Sequence, residues 1–336
     1  MKDSIQKKKS GFSDSLRRLV DQAVQFRGRR QNSLDKAIQW VKNHRIPSGG
    51  VLAHHRSRDV SQEVTGYLID SLYRVGEKVL AVDLAKWEVF VQRADGGFVG
   101  PGTNVPYTFD TAQVVRGFLA VTADMPGIGG AVRKACDFIV KQIAASGEVR
   151  TPNADLWKLP DGSTLSAYCN LYVLPPLKEA GLRYGVEGYV DAVQRALNFY
   201  KQKADLTEFK PQLGTLSHIF GYMMEALVDL GEIELARKGL DQALRLQKAD
   251  GSVPAYPGVE WVCSTGLAQL GIAWAKTGQR EPAEKALHYL QKIQNPSGGF
   301  YGGYGKGAQY FPKEEISWAN KYFIDLYLLV GGDRSG

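Results

Sequence analysis

Gln92-Arg-Ala-Asp-Gly-Gly-Phe98 is the stretch from which the rest of the chain can be read. The same turn returns at Gln247-Lys-Ala-Asp-Gly-Ser-Val253 and Gln294-Asn-Pro-Ser-Gly-Gly-Phe300, with looser copies at Ser48-Gly-Gly-Val51 and Ser146-Gly-Glu-Val149. Its glycines, at 49, 96, 147, 251 and 298, are separated by 47, 51, 104 and 47 residues. The interval of 104 is two periods, so a degenerate copy lies inside it, at Ala204-Asp-Leu-Thr-Glu-Phe209. Six units result, at a spacing typical of paired-helix repeats.

Outward from each turn the pattern is constant. A polar amphipathic helix precedes it: Leu34–Asn43, Val79–Gln92, Ala131–Ile143, Tyr189–Gln202, Leu235–Gln247 and Pro282–Gln294. A long loop and a more apolar helix follow: Glu63–Val75, Asp110–Thr122, Leu165–Ala180, Leu216–Leu230, Glu260–Thr277 and Ile316–Val330. Gly76, Gly181, Gly231, Gly278 and Gly331 stand where left-handed helix stops are expected. Strand-like alternation is absent. The fold class is therefore all-α: an (α/α)6 toroid of six inner and six outer helices, with an open solenoid as the alternative.

The chain has 336 residues with a formal charge of +7. Residues 1–30 hold nine Lys/Arg against three Asp, so six of the seven charges belong to an N-terminal arm and the body is close to neutral. Within the arm Phe12, Leu16, Leu19, Val20, Ala23 and Val24 recur at helical spacing, which reads as a basic amphipathic helix. It suits docking to a partner protein or to an anionic membrane face, and equally a stripe packed on the body. The expected division is an arm over 1–32 and one toroid domain over 33–336. A near-neutral body argues against nucleic acid. No apolar run reaches a membrane span, and the basic start leads into no apolar segment. Three widely spaced cysteines suit a reducing compartment, so a cytoplasmic location is expected, peripheral to the inner membrane face if the arm docks there.

The apolar helices, as an inner ring, all begin on one face. Aligned on the apolar residue nine positions on, their first turns carry Glu63, Asp110, Tyr168, His218, Cys263 and Trp318, with Thr265 replacing Cys263 if the fifth unit is aligned on Gly278. One turn deeper come Tyr67, Tyr172, Tyr222 and Tyr322. Carboxylates, an imidazole and phenols at one concave mouth suit acid/base chemistry. Glu63 and Asp110 are the candidate acid and base, His218 a proton carrier near neutral pH, and Tyr168 and Tyr222 orienting or proton-transferring phenols. Asp110 also reads as an N-cap, and Glu63, Glu260 and Glu315 as acids favoured near helix N-termini.

The loops at this mouth add aromatic and basic side chains. Tyr107, Trp157, Tyr256, Trp261, Tyr304 and Tyr310 of the loops, with Tyr67 and Trp318 of the helices, Glu260 and Glu315, are candidate substrate-binding residues, and Trp261, Trp318 and Tyr304 are the candidate sugar-stacking surfaces. His54, His55 and Arg58 are candidate ligands for a uronate or phosphate. No metal-ligand spacing is present, so neither metal nor cofactor is expected.

The three Gln-initiated turns resemble the QW-type repeats of the squalene cyclase and protein prenyltransferase superfamily, which implies an α/α barrel over most of 33–331. The chain departs from that family's chemistry. Phe or Val replaces the repeat's Trp, no Asp-Asp pair occurs, and Lys134, Ala167 and Trp261 stand where the zinc-binding Asp would precede each cysteine. Ser48-Gly-Gly, Glu63-Val-Thr-Gly-Tyr67, Ser217-His-Ile-Phe-Gly-Tyr222, Ser264-Thr-Gly-Leu-Ala-Gln269 and Ile316-Ser-Trp-Ala-Asn-Lys-Tyr-Phe-Ile-Asp325 resemble repeat proteins that accompany bacterial surface-polysaccharide biosynthesis. The toroid is also similar to that of glycoside hydrolases, polysaccharide lyases and uronate epimerases. The expectation is a glycan-active enzyme of hydrolase, lyase or uronate epimerase type, linked to bacterial surface-polysaccharide synthesis or modification, whose substrate is an acidic oligosaccharide or polysaccharide. The alternatives are an isoprenoid or lipid-linked-intermediate enzyme and a non-catalytic glycan-binding scaffold.

Overall fold

A computed structural model describes residues 33–151, 159 and 165–331. The basic arm and Trp157 lie outside the described residues. Helix α1 covers 33–43. It is followed by α2 (Gln62–Arg74), α3 (Lys78–Val91), α4 (Thr108–Ala120), α5 (Gly129–Lys141), α6 (Leu174–Tyr184) and α7 (Glu187–Lys201). Then come α8 (Ser217–Leu230), α9 (Ile233–Arg245), α10 (Ser264–Lys276), α11 (Arg280–Ile293) and α12 (Ser317–Val330). Even-numbered helices form the inner ring. Each packs on the next, and α12 packs back on α2, so the ring closes.

Burial separates the two sets as the sequence pattern requires. The outer helix α9 buries one stripe, Ala236, Gly239, Leu240 and Ala243, and leaves its charges outside. The inner helix α10 is buried from Ser264 through Trp274, because it is enclosed by neighbours on all sides.

The repeated turn joins neighbouring outer helices. In each of three turns a glutamine amide donates twice. Gln92 Nε2 reaches Gly96 O (3.3 Å) and Ala131 O (3.0 Å). Gln247 reaches Gly251 O and Pro282 O, and Gln294 reaches Gly298 O and Ser33 O. The glutamine thus fixes its own turn and ties it to the first turn of the next outer helix, and the last copy ties the sixth unit to the first. Gly96 sits at φ +91°, and a Cβ there would fall 2.1 Å from Lys134 O on α5. Both the conformation and the space require glycine.

Several expectations about the elements are corrected. Strands are present among the described residues: a three-stranded ribbon of β1 (Arg45–Ile46), β2 (Gly49–Leu52) and β3 (Val60–Ser61), and pairs β4 (Phe98–Val99) with β5 (Pro106–Tyr107) and β6 (Val262–Cys263) with β7 (Gly303–Tyr304). Most are two residues long, too short to show alternation, and they brace the loops that lead into α2, α4 and α10. Helix α6 runs through Gly181 and stops at Gly185 (φ 64°), while Gly331 is right-handed at φ −84°. The third inner element opens as a 3-10 helix, Ala167–Val173. Helix α10 starts at Ser264, so Glu260 stays in the preceding loop, exposed.

Candidate active site

Ring closure places the first turns of α2, α4, α8 and α12 around one mouth. Asp110 is buried, with Oδ2 lacking a hydrogen-bond partner. Glu63, half-buried on the adjacent helix, accepts from Tyr222 Oη at 3.4 Å. Since α2 and α8 are first and fourth in a ring of six, this bond crosses the lumen. A second diameter is crossed by Tyr322 Oη donating to Tyr172 Oη at 3.3 Å. With Tyr67–Tyr322 and Phe109–Tyr222 ring contacts at 5.8 and 4.9 Å, the throat is closed one turn below the carboxylates.

Electrostatics divide the two acids. Burial raises Glu63 to about 7, opposed by the Tyr222 hydrogen bond and by Lys321. Asp110 is pushed well above the usual carboxylate range, by burial first and then by the charge of Glu63. Burial and the neighbouring charge thus favour the protonated form of Asp110, while Glu63 titrates near neutrality. His218 behaves differently from expectation. Its Nδ1 donates to Gln269 Oε1 at 2.6 Å, and burial lowers its pKa to about 4. It is a neutral imidazole in a fixed tautomer, with Nε2 as an acceptor, rather than a proton carrier near neutral pH.

Beneath the phenols lies a layer of charge that the sequence reading missed. Lys321 is buried, pairs with Asp325 at 3.0 Å and lies 3.7 Å from the Tyr322 ring centroid and 5.0 Å from that of Tyr67. Asp325 also accepts from Ser71 (2.7 Å) and Arg74 (2.5 Å) on α2. Burial would raise Asp325, but Lys321 and Arg74 hold it below its usual value. A lysine and an aspartate four apart inside an otherwise apolar helix were the signal that could have found this layer.

Other candidates are placed away from the axis. In a 3-10 helix residues three apart share a face, so Cys169 and Tyr172 turn inward and Tyr168 turns out. Tyr168 instead donates to Asp205 at 2.9 Å and lines a lateral cleft of about 350 Å³ with Lys210, Gln212 and Thr215. Glu315 is saturated: its carboxylate accepts from Trp40 Nε1 (2.7 Å), Asn295 (2.8 Å) and Ser297 (2.6 Å). It fastens α12 to α1 rather than facing a ligand. His55 Nδ1 accepts from the Glu315 backbone at 2.8 Å, so it closes the same seam. Tyr107 is buried in β5 against Gly100, Tyr256 donates to Gln309, and Tyr304 donates to Asn295. Trp261 is buried against Gly303 and Gly305. Arg58 and Glu260 are exposed.

Four aromatic or imidazole rings cover the mouth. Tyr310 is buried 5.9 Å from His218, and Phe311 packs edge-on to Tyr310 and Trp318 at 4.9 and 5.3 Å and lies tilted 6.1 Å from His54. Phe311 is the one non-glycine residue with positive φ among the described residues, at 44°. Such backbone strain persists only where surroundings over-determine it.

Among the described residues no group of His, Cys, Asp and Glu could hold a metal ion, and no helix is long and apolar enough to cross a membrane. No protein-family model and no curated protein matches the chain. Solved structures do. A glycosidase variant in complex with glucose superposes with a TM-score of 0.67 at 11% identity, covering 90% of this chain and 97% of that one. An alpha-amylase from Clostridium perfringens gives 0.68 at 13%, covering 88% and 97%. An unsaturated glucuronyl hydrolase specific for heparin gives 0.65 at 11%, covering 89% and 96%. At these identities the likeness establishes the α/α-toroid fold. The similar structures named here are carbohydrate enzymes rather than the cyclases and prenyltransferases that the turn resembles.

Proposed function

We propose that the chain is a glycan-active enzyme that breaks a glycosidic bond in an acidic oligosaccharide or polysaccharide. The observation that carries this is the Glu63–Asp110 pair: two carboxyls on neighbouring inner helices, one whose protonated form burial favours and one poised near 7. Asp110 donates its proton to the leaving oxygen as the bond to the anomeric carbon breaks. Glu63 accepts a proton from the attacking water, whose oxygen joins that carbon. Tyr222 steadies Glu63, and the Tyr310, Phe311 and Trp318 rings supply stacking surfaces for the sugar. Arg58, exposed at the mouth loop, is the charge complement for a uronate. A surface-polysaccharide setting is supported by the resemblance of the inner-helix segments.

A throat filled by phenols above buried ion pairs suits a sugar better than a prenyl chain, which would need an apolar tunnel. The test is cleavage of a panel of acidic and neutral oligosaccharides, followed by mass spectrometry. Wild-type protein should cleave a uronate-containing member, with Glu63→Gln and Asp110→Asn each slower by about 100-fold or more. Cleavage undiminished in both variants would overturn the assignment.

A further inference from the structure

Glu88 stands where the repeat asks for an aliphatic side chain. Counting eight residues back from each turn glycine gives Val41, Glu88, Ile139, Ala243 and Leu290. All five are buried, none more than 1% exposed. Four of them pack as hydrocarbon beneath the inner ring. Glu88 places a carboxyl in the same environment, and neither of its oxygens has a hydrogen-bond partner. An unpartnered buried carboxyl is costly and is kept neutral by its surroundings. Burial holds Glu88 well above the usual carboxylate range, and the one charge that acts on it is that of Asp110.

Helix α3, which carries Glu88, packs against α4, which carries Asp110. Asp110 Oδ2 is likewise buried and unpartnered. A neutral carboxylic acid has one O–H to donate, and the ionised form of its neighbour has a vacant lone pair to receive it. We propose that Glu88 is a positioning residue: it remains a protonated acid behind Asp110 and donates to Asp110 whenever that carboxylate gives up its proton at the mouth. Donation to the charged form stabilises it, so Glu88 orients the acid and eases its deprotonation without touching substrate. The role rests on the acid/base reading of Asp110 given above.

Two substitutions separate this role from a packing role. Glu88→Leu restores the residue type of the other repeats, and Glu88→Gln keeps a neutral donor of the same shape. Glu88→Leu should raise Tm while lowering kcat about tenfold with little change in KM, and should move the alkaline limb of the pH profile to higher pH, because Asp110 loses a donor to its ionised form. Glu88→Gln should retain the wild-type limb and most of kcat. Infrared spectroscopy reads the same claim without substrate. The wild-type protein should show a protonated, buried carboxyl band above pH 7 that is lost in Glu88→Leu and displaced in Asp110→Asn. A Glu88→Leu protein with unchanged kcat and pH limb would overturn the proposal, as would a Glu88 band indifferent to Asp110→Asn. Should no glycan be cleaved by the wild type, the infrared arm still decides the Glu88–Asp110 coupling, and the failure falls on the proposed reaction.

Discussion

Glu63 carries a consequence for stability as well as for the proposed chemistry. Its carboxyl titrates at about 7 in the folded protein against a usual 4.5. An acid raised on folding holds its proton over a range in which the unfolded chain has already released it. Below pH 4.5 both states are protonated and Glu63 costs nothing; the penalty grows as pH rises from 4.5 to about 7 and is present in full above that. Glu63→Gln should therefore raise stability by about 3 kcal/mol at pH 8 and leave it nearly unchanged near pH 4, measured by urea denaturation at both values. A gain of equal size at both would show that the variant acts through packing. Side chains also mark where reading the sequence stopped. Glu63, Asp110 and His218 were legible because six repeats fix a common register. Glu315 was misassigned because its role depends on Trp40, a partner 275 residues away. The repeat register brings His218 to the mouth, but its titration depends on burial and on Gln269, neither of which one helix reveals.

At the scale of elements, the turn glycines differ in what they hold together. Gly96 and Gly76 have nearly the same backbone angle, φ +91° and +94°. A Cβ on Gly96 would strike Lys134 O at 2.1 Å, whereas one on Gly76 would meet nothing within 4 Å. Gly76→Ala should cost only left-handed strain, about 1 kcal/mol. Gly96→Ala should cost about 3 kcal/mol or more, because α3 and α5 must also separate. Chemical denaturation of the two variants compares them directly, and equal losses would mean that conformation alone selects glycine. Helix pairs were readable from hydrophobic period and glycine punctuation. The third inner element was not, since Ala167–Val173 gives no local signal that its helix is 3-10 rather than α. That one difference in residues per turn exchanged Cys169 for Tyr168 at the axis. The ribbons at the mouth escaped for a simpler reason: two residues carry no period.

For the whole molecule, closure is the property on which the site depends. Helix α12 meets α2 through Asp325, which binds Lys321 on its own helix and Ser71 and Arg74 across the seam. Asp325→Asn should cost about 3–5 kcal/mol, because it leaves Lys321 buried without its counter-charge. Replacing Lys321 and Asp325 together by Met and Leu should recover most of that loss in thermal denaturation. A double variant no more stable than Asp325→Asn would place the stabilisation in the Arg74 and Ser71 contacts instead. A closed ring brings the first turns of α2 and α4 to one mouth and stops the throat with phenols immediately beneath them. On the proposed reading a ligand is thereby confined to the level of Glu63 and Asp110, below the Tyr310–Phe311–Trp318 cover. The most direct measurement of this account is a crystal structure of Asp110→Asn, chosen to slow cleavage, with a uronate-containing oligosaccharide bound. The expected structure has a sugar ring between Glu63 and residue 110, stacked on the mouth aromatics, with Tyr310 displaced from His218. A saccharide seated in the lateral cleft beside Tyr168 and Asp205, with the mouth unchanged, would contradict it.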